Sequence, residues 1–242
     1  MQEMKTDLRA LNGKPGAVAA LWKRILQVMI GTVLQALVLF LSSGRLGWLS
    51  AWAYLAVYAG LMAFNMFILL PRNPELMAER ARMQEGTKAW DRVLVPLVGY
   101  SPLLYLLVAG LDERFGWSLR LAAWTPFVAL LLVALGYGLG VWVVASNPFF
   151  SGTVRIQMER GHTVVSTGPY RYVRHPGYVG TILYTLATPL LLGSLWALVP
   201  AGLTTCLVVV RTALEDKTLR QELDGYEEYA CQVRYRLLPG IW

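Results

Sequence analysis

Leu121–Ala145 reads LAAWTPFVALLLVALGYGLGVWVVA, a stretch without one charged side chain. A helix rises about 1.5 Å per residue, so apolar runs of roughly 17–25 residues cross the hydrocarbon of a bilayer. This run is long enough to span, and comparable runs flank it at Ile25–Leu41, Leu49–Leu70, Val93–Leu111, Tyr178–Leu192 and Leu195–Val210. The pattern predicts an all-α, multi-pass transmembrane protein of about six helices. The last two runs are short and meet at Gly193-Ser194. They read as a helical hairpin over 178–210, its members kinked at Pro189 or Pro200 or stopping short of a full span.

Composition agrees. The chain is 56% hydrophobic and 15% charged, with mean hydropathy +0.46, whereas soluble domains carry about 25% charged residues. The Lys and Arg residues are unevenly placed. Of 22, 19 fall in residues 1–24, 71–92, 146–175 and 211–242, leaving Arg45, Arg114 and Arg120 for the other side. By the positive-inside rule both termini and the polar segment after Ala145 face the cytoplasm. The net charge of +7 is a topology signal and favours anionic headgroups. No soluble basic domain exists to hold nucleic acid, and no obligate protein partner is indicated. The partners expected are the bilayer and a lipid-like substrate. Cys206 and Cys231 suggest neither a disulfide framework nor a metal cluster. The first apolar run is too long for a signal peptide and reads as the first span. A compact chain of this kind fits a bacterial plasma membrane ahead of the endoplasmic reticulum.

Two parts emerge. Residues 1–146 hold four transmembrane helices and a cytoplasmic connecting helix over 73–85, where Asn73 caps, Pro74 takes the first position and Glu75 and Glu79 favour the helix dipole. Residues 147–242 hold a polar loop, the hairpin and a tail, Arg211–Trp242, that reads as helical from the last span onward, interrupted at Gly225 and ended at Pro239-Gly240. The loop includes His162–Gly180, HTVVSTGPYRYVRHPGYVG, which contains the only two histidines, His162 and His175. Charged and punctuated by Gly and Pro, it is a poor span and a good ligand site.

Pro176 suits the first turn of a helix, placing His175 beside free backbone N–H groups. Arg211 and Glu215 lie four apart on one helix face at the end of the last span, with Asp216 next. Ionisable groups there must snorkel, pair or bind. They read either as an ordinary interfacial Arg–Glu pair or as a split pair, with Arg on an anionic substrate group and Glu on a second ligand. Tyr226, Tyr229, Arg234, Tyr235 and Arg236 read as interfacial anchors, in whole or in part. No phosphate-binding glycine loop, nucleophile elbow or metal-ligand spacing occurs, so no standard nucleotide fold, no Rossmann domain, no serine hydrolase and no metal are indicated.

Taken in order, RHPGYVG, the hairpin, Arg211-x-x-x-Glu215-Asp216 and Tyr226-x-x-Tyr229 resemble the isoprenylcysteine carboxyl methyltransferase family, whose wider group includes phospholipid N-methyltransferases. The resemblance covers roughly 147–242. It implies an S-adenosylmethionine-dependent enzyme with a cytoplasmic cofactor pocket built from a loop and the C-terminal tail. The acceptor would be a lipid-modified or amphipathic molecule, foremost a carboxylate. By position it implies cofactor contacts at Gln157, His162, Thr163, Val164, Val165, Tyr170, His175, Pro176, Gly177, Tyr178 and Glu215, and a substrate-carboxylate role for Arg211. Gln157 stands closer to His162 than the family pattern leads one to expect. Asp216 stands where many relatives carry a second Glu. The ending from Tyr229 to Trp242 also resembles membrane sterol reductases, which use NADPH. A membrane scaffold with a decayed site is the non-enzyme alternative.

Overall fold

The computed structural model describes the backbone of residues 15–72 and 85–242. The connecting helix expected over 73–85 falls almost wholly outside the described residues. Among them the fold is helical, without a strand. Six long helices run in chain order: α1 Pro15–Ser43, α2 Leu49–Arg72, α3 Asp91–Phe115, α4 Thr125–Ser146, α5 Pro176–Leu191 and α6 Leu198–Glu222. A short α7, Tyr226–Gln232, follows. Two single turns of 3-10 helix, Met158–Arg160 and Gly168–Arg171, interrupt the loop between α4 and α5.

This is an integral membrane protein. Four helical stretches are long and apolar enough to cross a bilayer: Ile25–Ser43, Asp91–Phe115, Thr125–Ser146 and Leu198–Glu222. A shorter apolar stretch, Leu49–Phe64, belongs to α2. Large apolar side chains face outward on these helices, including Met29 and Leu41 on α1, Phe127 and Leu131 on α4, and Leu203 on α6. A contiguous apolar exterior of this extent suits lipid, not water.

The expected pair of short hairpin helices is corrected. The first member is indeed short. Pro176 starts it and Gly193, in the left-handed region at φ +78°, ends it. Its 16 residues rise about 24 Å, less than the hydrocarbon thickness. The second member is long. It begins at Leu198 and continues past Val210 to Glu222, because no Gly or Pro interrupts the charged stretch that follows the apolar one. Its last three turns carry Arg211, Glu215, Asp216, Arg220 and Glu222 beyond the apolar part of the bundle.

The most extensive helix contact is α4 on α5. Here two glycines bring the backbones together. A methyl group built on Gly136 would lie 2.7 Å from the Gly180 carbonyl oxygen and 2.9 Å from the Tyr184 nitrogen. Small residues permit such close crossings in membrane bundles. Gly136→Ala is therefore expected to destabilise by about 1–3 kcal/mol, the usual cost of overpacking a tight interior. The check is thermal inactivation in detergent, with Gly138→Ala as control, since a methyl there meets nothing within 4 Å. Equal stability of the two variants would refute the close crossing.

The core inside the bundle includes Leu39, Tyr54, Tyr105, Leu106, Val133 and Leu191. One end of the bundle is closed by Asp112, which accepts from the Ser118 amide at 2.7 Å and from the Ser194 hydroxyl at 2.5 Å. The opposite end gathers the start of α3, the end of α4, the start of α5, the end of α6, the 147–175 loop and α7.

Candidate functional site

At that second end lies a cavity of about 310 Å³, within the usual range for small-molecule pockets. Its walls come from the 147–165 loop, the start of α5, the last turns of α6 and α7. Its lining is mixed: Glu215, Arg211 and His175 contribute polar groups, and Val164, Leu219 and Leu223 apolar ones.

The four-residue spacing brings Arg211 and Glu215 to the same cavity, but they do not pair with each other. The Arg211 Nε donates to Asp91 Oδ1 at 2.7 Å, and Nη2 donates to Asp91 Oδ2 at 3.1 Å and to the Gly152 carbonyl at 3.0 Å. The guanidinium carbon sits 5.4 Å from the centre of the Tyr178 ring. Nη1 has no hydrogen-bond partner among the described residues. The Tyr178 hydroxyl donates to Glu215 Oε2. Oε1 is left without one among the described residues. So a cation and an anion one turn apart each keep an unspent atom on a cavity-lining residue. The Nε–Nη2 edge of the guanidinium is occupied by Asp91.

A second charged centre lies behind the cavity wall. Asp216 is fully buried. Its Oδ1 accepts from Arg174 Nε at 2.7 Å, from the Tyr226 hydroxyl at 3.1 Å and lies 3.2 Å from His175 Nε2. Its Oδ2 accepts from Arg236 Nε at 2.9 Å, Arg220 Nε at 3.2 Å and Arg174 Nη2 at 3.3 Å. Arg174 Nη1 donates onward to the Val233 and Arg234 carbonyls at 2.7 and 2.6 Å. The backbone joins in, since the Arg174 and His175 amides donate to the Tyr235 and Arg236 carbonyls at 2.9 and 3.0 Å. The RHPG stretch, the end of α6 and the C-terminal tail are thus one hydrogen-bonded unit. Burial, then the Asp216 carboxylate, pushes the Tyr226 phenol well up, so it stays a donor. Tyr229 is likewise pushed up by burial and donates to the Tyr170 carbonyl at 2.7 Å.

The loop side is organised by Gln157 and His162. The Gln157 amide nitrogen Nε2 donates to the Phe149 carbonyl at 2.6 Å, and Oε1 accepts from Arg160 Nη1 at 2.7 Å. The Gln157 backbone N–H donates to His162 Nδ1 at 3.3 Å. The His162 ring tilts against Phe149 with centroids 4.6 Å apart. Burial, with Arg155 and Arg160 nearby, lowers the His162 pKa, which keeps the imidazole neutral and Nδ1 an acceptor.

Of the residues singled out from sequence, His162, Thr163, Val164, Val165, Tyr170, His175, Gly177, Tyr178, Arg211 and Glu215 line the cavity. Gln157 and Pro176 do not. Gln157 is almost wholly buried behind Phe149, where its amide is consumed by the loop. Pro176 is buried at the first turn of α5 and serves the helix start. Sequence reasoning did not place Asp91, Phe149 or Phe150 at the site, gave Arg174 and Asp216 no role of their own, and read Tyr226 as an interfacial anchor. Arg174, Asp216 and Tyr226 each stand inside a motif that carries the resemblance, and that was their local signal.

Residues 128–221 match the model of the isoprenylcysteine carboxyl methyltransferase family. The chain is 32% identical over 115 residues to a probable protein-S-isoprenylcysteine O-methyltransferase of Oryza sativa subsp. indica, covering 44% of this chain and 58% of that one. It is 28% identical over 109 residues to a Delta(14)-sterol reductase of Mus musculus, covering 40% of this chain and 24% of that one. The alignments thus span less than two thirds of these relatives' length. A solved eukaryotic intramembrane Ras methyltransferase, isoprenylcysteine carboxyl methyltransferase, aligns over 99% of this chain and 98% of its own at 16% identity. Its TM-score of 0.46 is too low for geometry to be transferred.

Proposed function

We propose, from the match of residues 128–221 to the model of the isoprenylcysteine carboxyl methyltransferase family, that this chain is a membrane methyltransferase. Its methyl donor is S-adenosylmethionine, and its acceptor is the carboxylate of a lipid-borne or amphipathic molecule. The observation that carries the reading is the split pair. Glu215 Oε1 and Arg211 Nη1 are both uncommitted, one turn apart, on a cavity at the edge of an apolar bundle. The charge pattern supports a cytoplasmic position for this end.

The residues present suit the donor. Glu215 offers a carboxylate acceptor to an ammonium or to ribose hydroxyls, and Val164, Leu219 and Leu223 offer an apolar wall to a planar base. When bound, the cofactor supplies an electrophilic methyl group on a sulfonium. The protein's work is then alignment and exclusion of water, not acid–base chemistry. A carboxylate acceptor is ionised at neutral pH and needs no general base. Arg211 would hold it through Nη1, while Tyr178 beneath the guanidinium and at Glu215 fixes the spacing between the two ligands.

The likeness to a sterol reductase gives the competing reading, a site for NADPH. The two separate in one experiment. A ligand that binds only the folded state stabilises it by about 2.7 kcal/mol at a hundred times its Kd. S-adenosylhomocysteine is expected to raise the Tm of the purified protein, and NADPH is not. The reverse pattern would replace the methyltransferase by a reductase.

A further inference from the structure

We infer that Asp91, at the first position of α3, is the positioning residue of Arg211, an inference that rests on the function proposed above. Asp91 is fully buried. Nothing in the chain's local sequence ties it to the site, since 120 positions separate it from Arg211. Yet its carboxylate takes the whole Nε–Nη2 edge of the guanidinium, at 2.7 and 3.1 Å. It also accepts the Val154 amide at 2.6 Å. Val154 itself lines the cavity, as does Gly152, whose carbonyl takes another bond from Nη2 at 3.0 Å.

This geometry has a chemical consequence. A guanidinium has five N–H donors in a rigid plane. Nε has one hydrogen, spent on Asp91. Nη2 has two, spent on Asp91 and Gly152. Only the Nη1 pair is left for an acceptor, and Asp91 sets the plane in which it lies. Arg211 therefore meets the acceptor carboxylate with a single nitrogen whose direction is imposed from behind. A lysine at 211 would have to serve Asp91 and the acceptor with one ammonium, which lacks the fork that lets arginine do both at once. An asparagine at 91 keeps the size of the side chain. It presents an amide NH2 to a guanidinium donor, so one arm of the bidentate contact becomes donor against donor.

The test uses full-length protein in detergent, S-adenosylhomocysteine as cofactor probe and N-acetyl-S-farnesylcysteine as acceptor. Asp91→Asn should bind S-adenosylhomocysteine within about threefold of wild type, because Glu215 is untouched. Its turnover at saturating cofactor should fall by about tenfold or more, as misaligned reacting groups do. Asp91→Asn combined with Arg211→Lys should be no slower than Arg211→Lys alone. Asp91→Glu should recover part of the rate. A second readout does not depend on turnover. In 15N-arginine-labelled protein the Arg211 Nε–H signal, assigned by its loss in Arg211→Lys, should exchange with water faster in Asp91→Asn. Unchanged exchange, losses that multiply in the double variant, or cofactor affinity falling in step with turnover would each overturn the positioning role. Wild-type protein that fails to bind S-adenosylhomocysteine would instead overturn the proposed function, with the Asp91–Arg211 coupling still decided by the exchange measurement.

Discussion

Asp216→Asn is expected to lower stability by about 3–5 kcal/mol, the cost of breaking a buried ion pair and leaving its partners uncompensated. The change is nearly isosteric, so no cavity is created and the loss is electrostatic. Three guanidinium groups, Arg174, Arg220 and Arg236, converge on this one carboxylate, with His175 and Tyr226 beside them. An amide in its place turns one acceptor oxygen into a donor facing donors. For a chain of this size the shift in Tm is roughly 6–20 °C. The measurement is the thermal transition of purified protein in one detergent, with Lys217→Ala as a control on an exposed neighbour. The tail should also come loose, because Arg174 and Arg236 join it to α5 and α6 through Asp216. Limited proteolysis should then cut after Arg234 or Arg236 earlier than in wild type. A Tm within about two degrees of wild type would mean the cluster does not hold the tail.

Asp216 also shows where the sequence could and could not be read. The bundle was legible because membrane helices announce themselves by length and absence of charge. Leu121–Ala145 and the observed Thr125–Ser146 differ by a few residues only. The continuation of α6 was legible from the tail, which reads as helical from the last span up to Gly225, and not from the span criterion. Apolar content stops at Val210 while the helix goes on to Glu222, since hydrogen bonding along the backbone does not depend on lipid. For the site, helical spacing was enough to put Arg211 and Glu215 on one face. It could not tell what each would bond. Arg211 chose Asp91, far away in sequence, over the carboxylate one turn along its own helix, and Glu215 chose Tyr178. Asp216, adjacent to Glu215, points about a quarter-turn away and enters a different environment altogether. Neighbours in a helix face different directions, by about 100° per residue, so one acid addresses the cavity and the next locks the tail. Pairings such as Asp91–Arg211 and Arg174–Asp216 are long-range facts of packing, and no local pattern encodes them. Gln157, carried over by resemblance alone, is taken up by Phe149 and Arg160, in a loop where no periodicity says which side chain faces the cavity.

Glu215→Gln carries the largest expected effect on ligand binding. The substitution preserves shape, and its carbonyl oxygen can still accept from the Tyr178 hydroxyl, so the side chain stays where it is. What disappears is the negative charge on the oxygen that has no protein partner. If that oxygen receives an ammonium or ribose hydroxyl of the methyl donor, a charge-assisted hydrogen bond worth about 1.5–3 kcal/mol is lost, roughly 10–150-fold in affinity. Calorimetric titration with S-adenosylhomocysteine measures it directly. Tyr178→Phe should fall between the two, because it keeps the carboxylate and removes only the hydroxyl that orients it, a neutral bond worth about 0.5–1.5 kcal/mol. The order wild type, Tyr178→Phe, Glu215→Gln is thus fixed by which group carries charge and which group only holds it in place. The free proteins should melt close together, since Glu215 is only half-buried and belongs to none of the Asp216 contacts. Wild-type affinity in Glu215→Gln would remove Glu215 from the cofactor site. Affinity lost in both variants together with a lowered Tm would assign the pair to the fold instead.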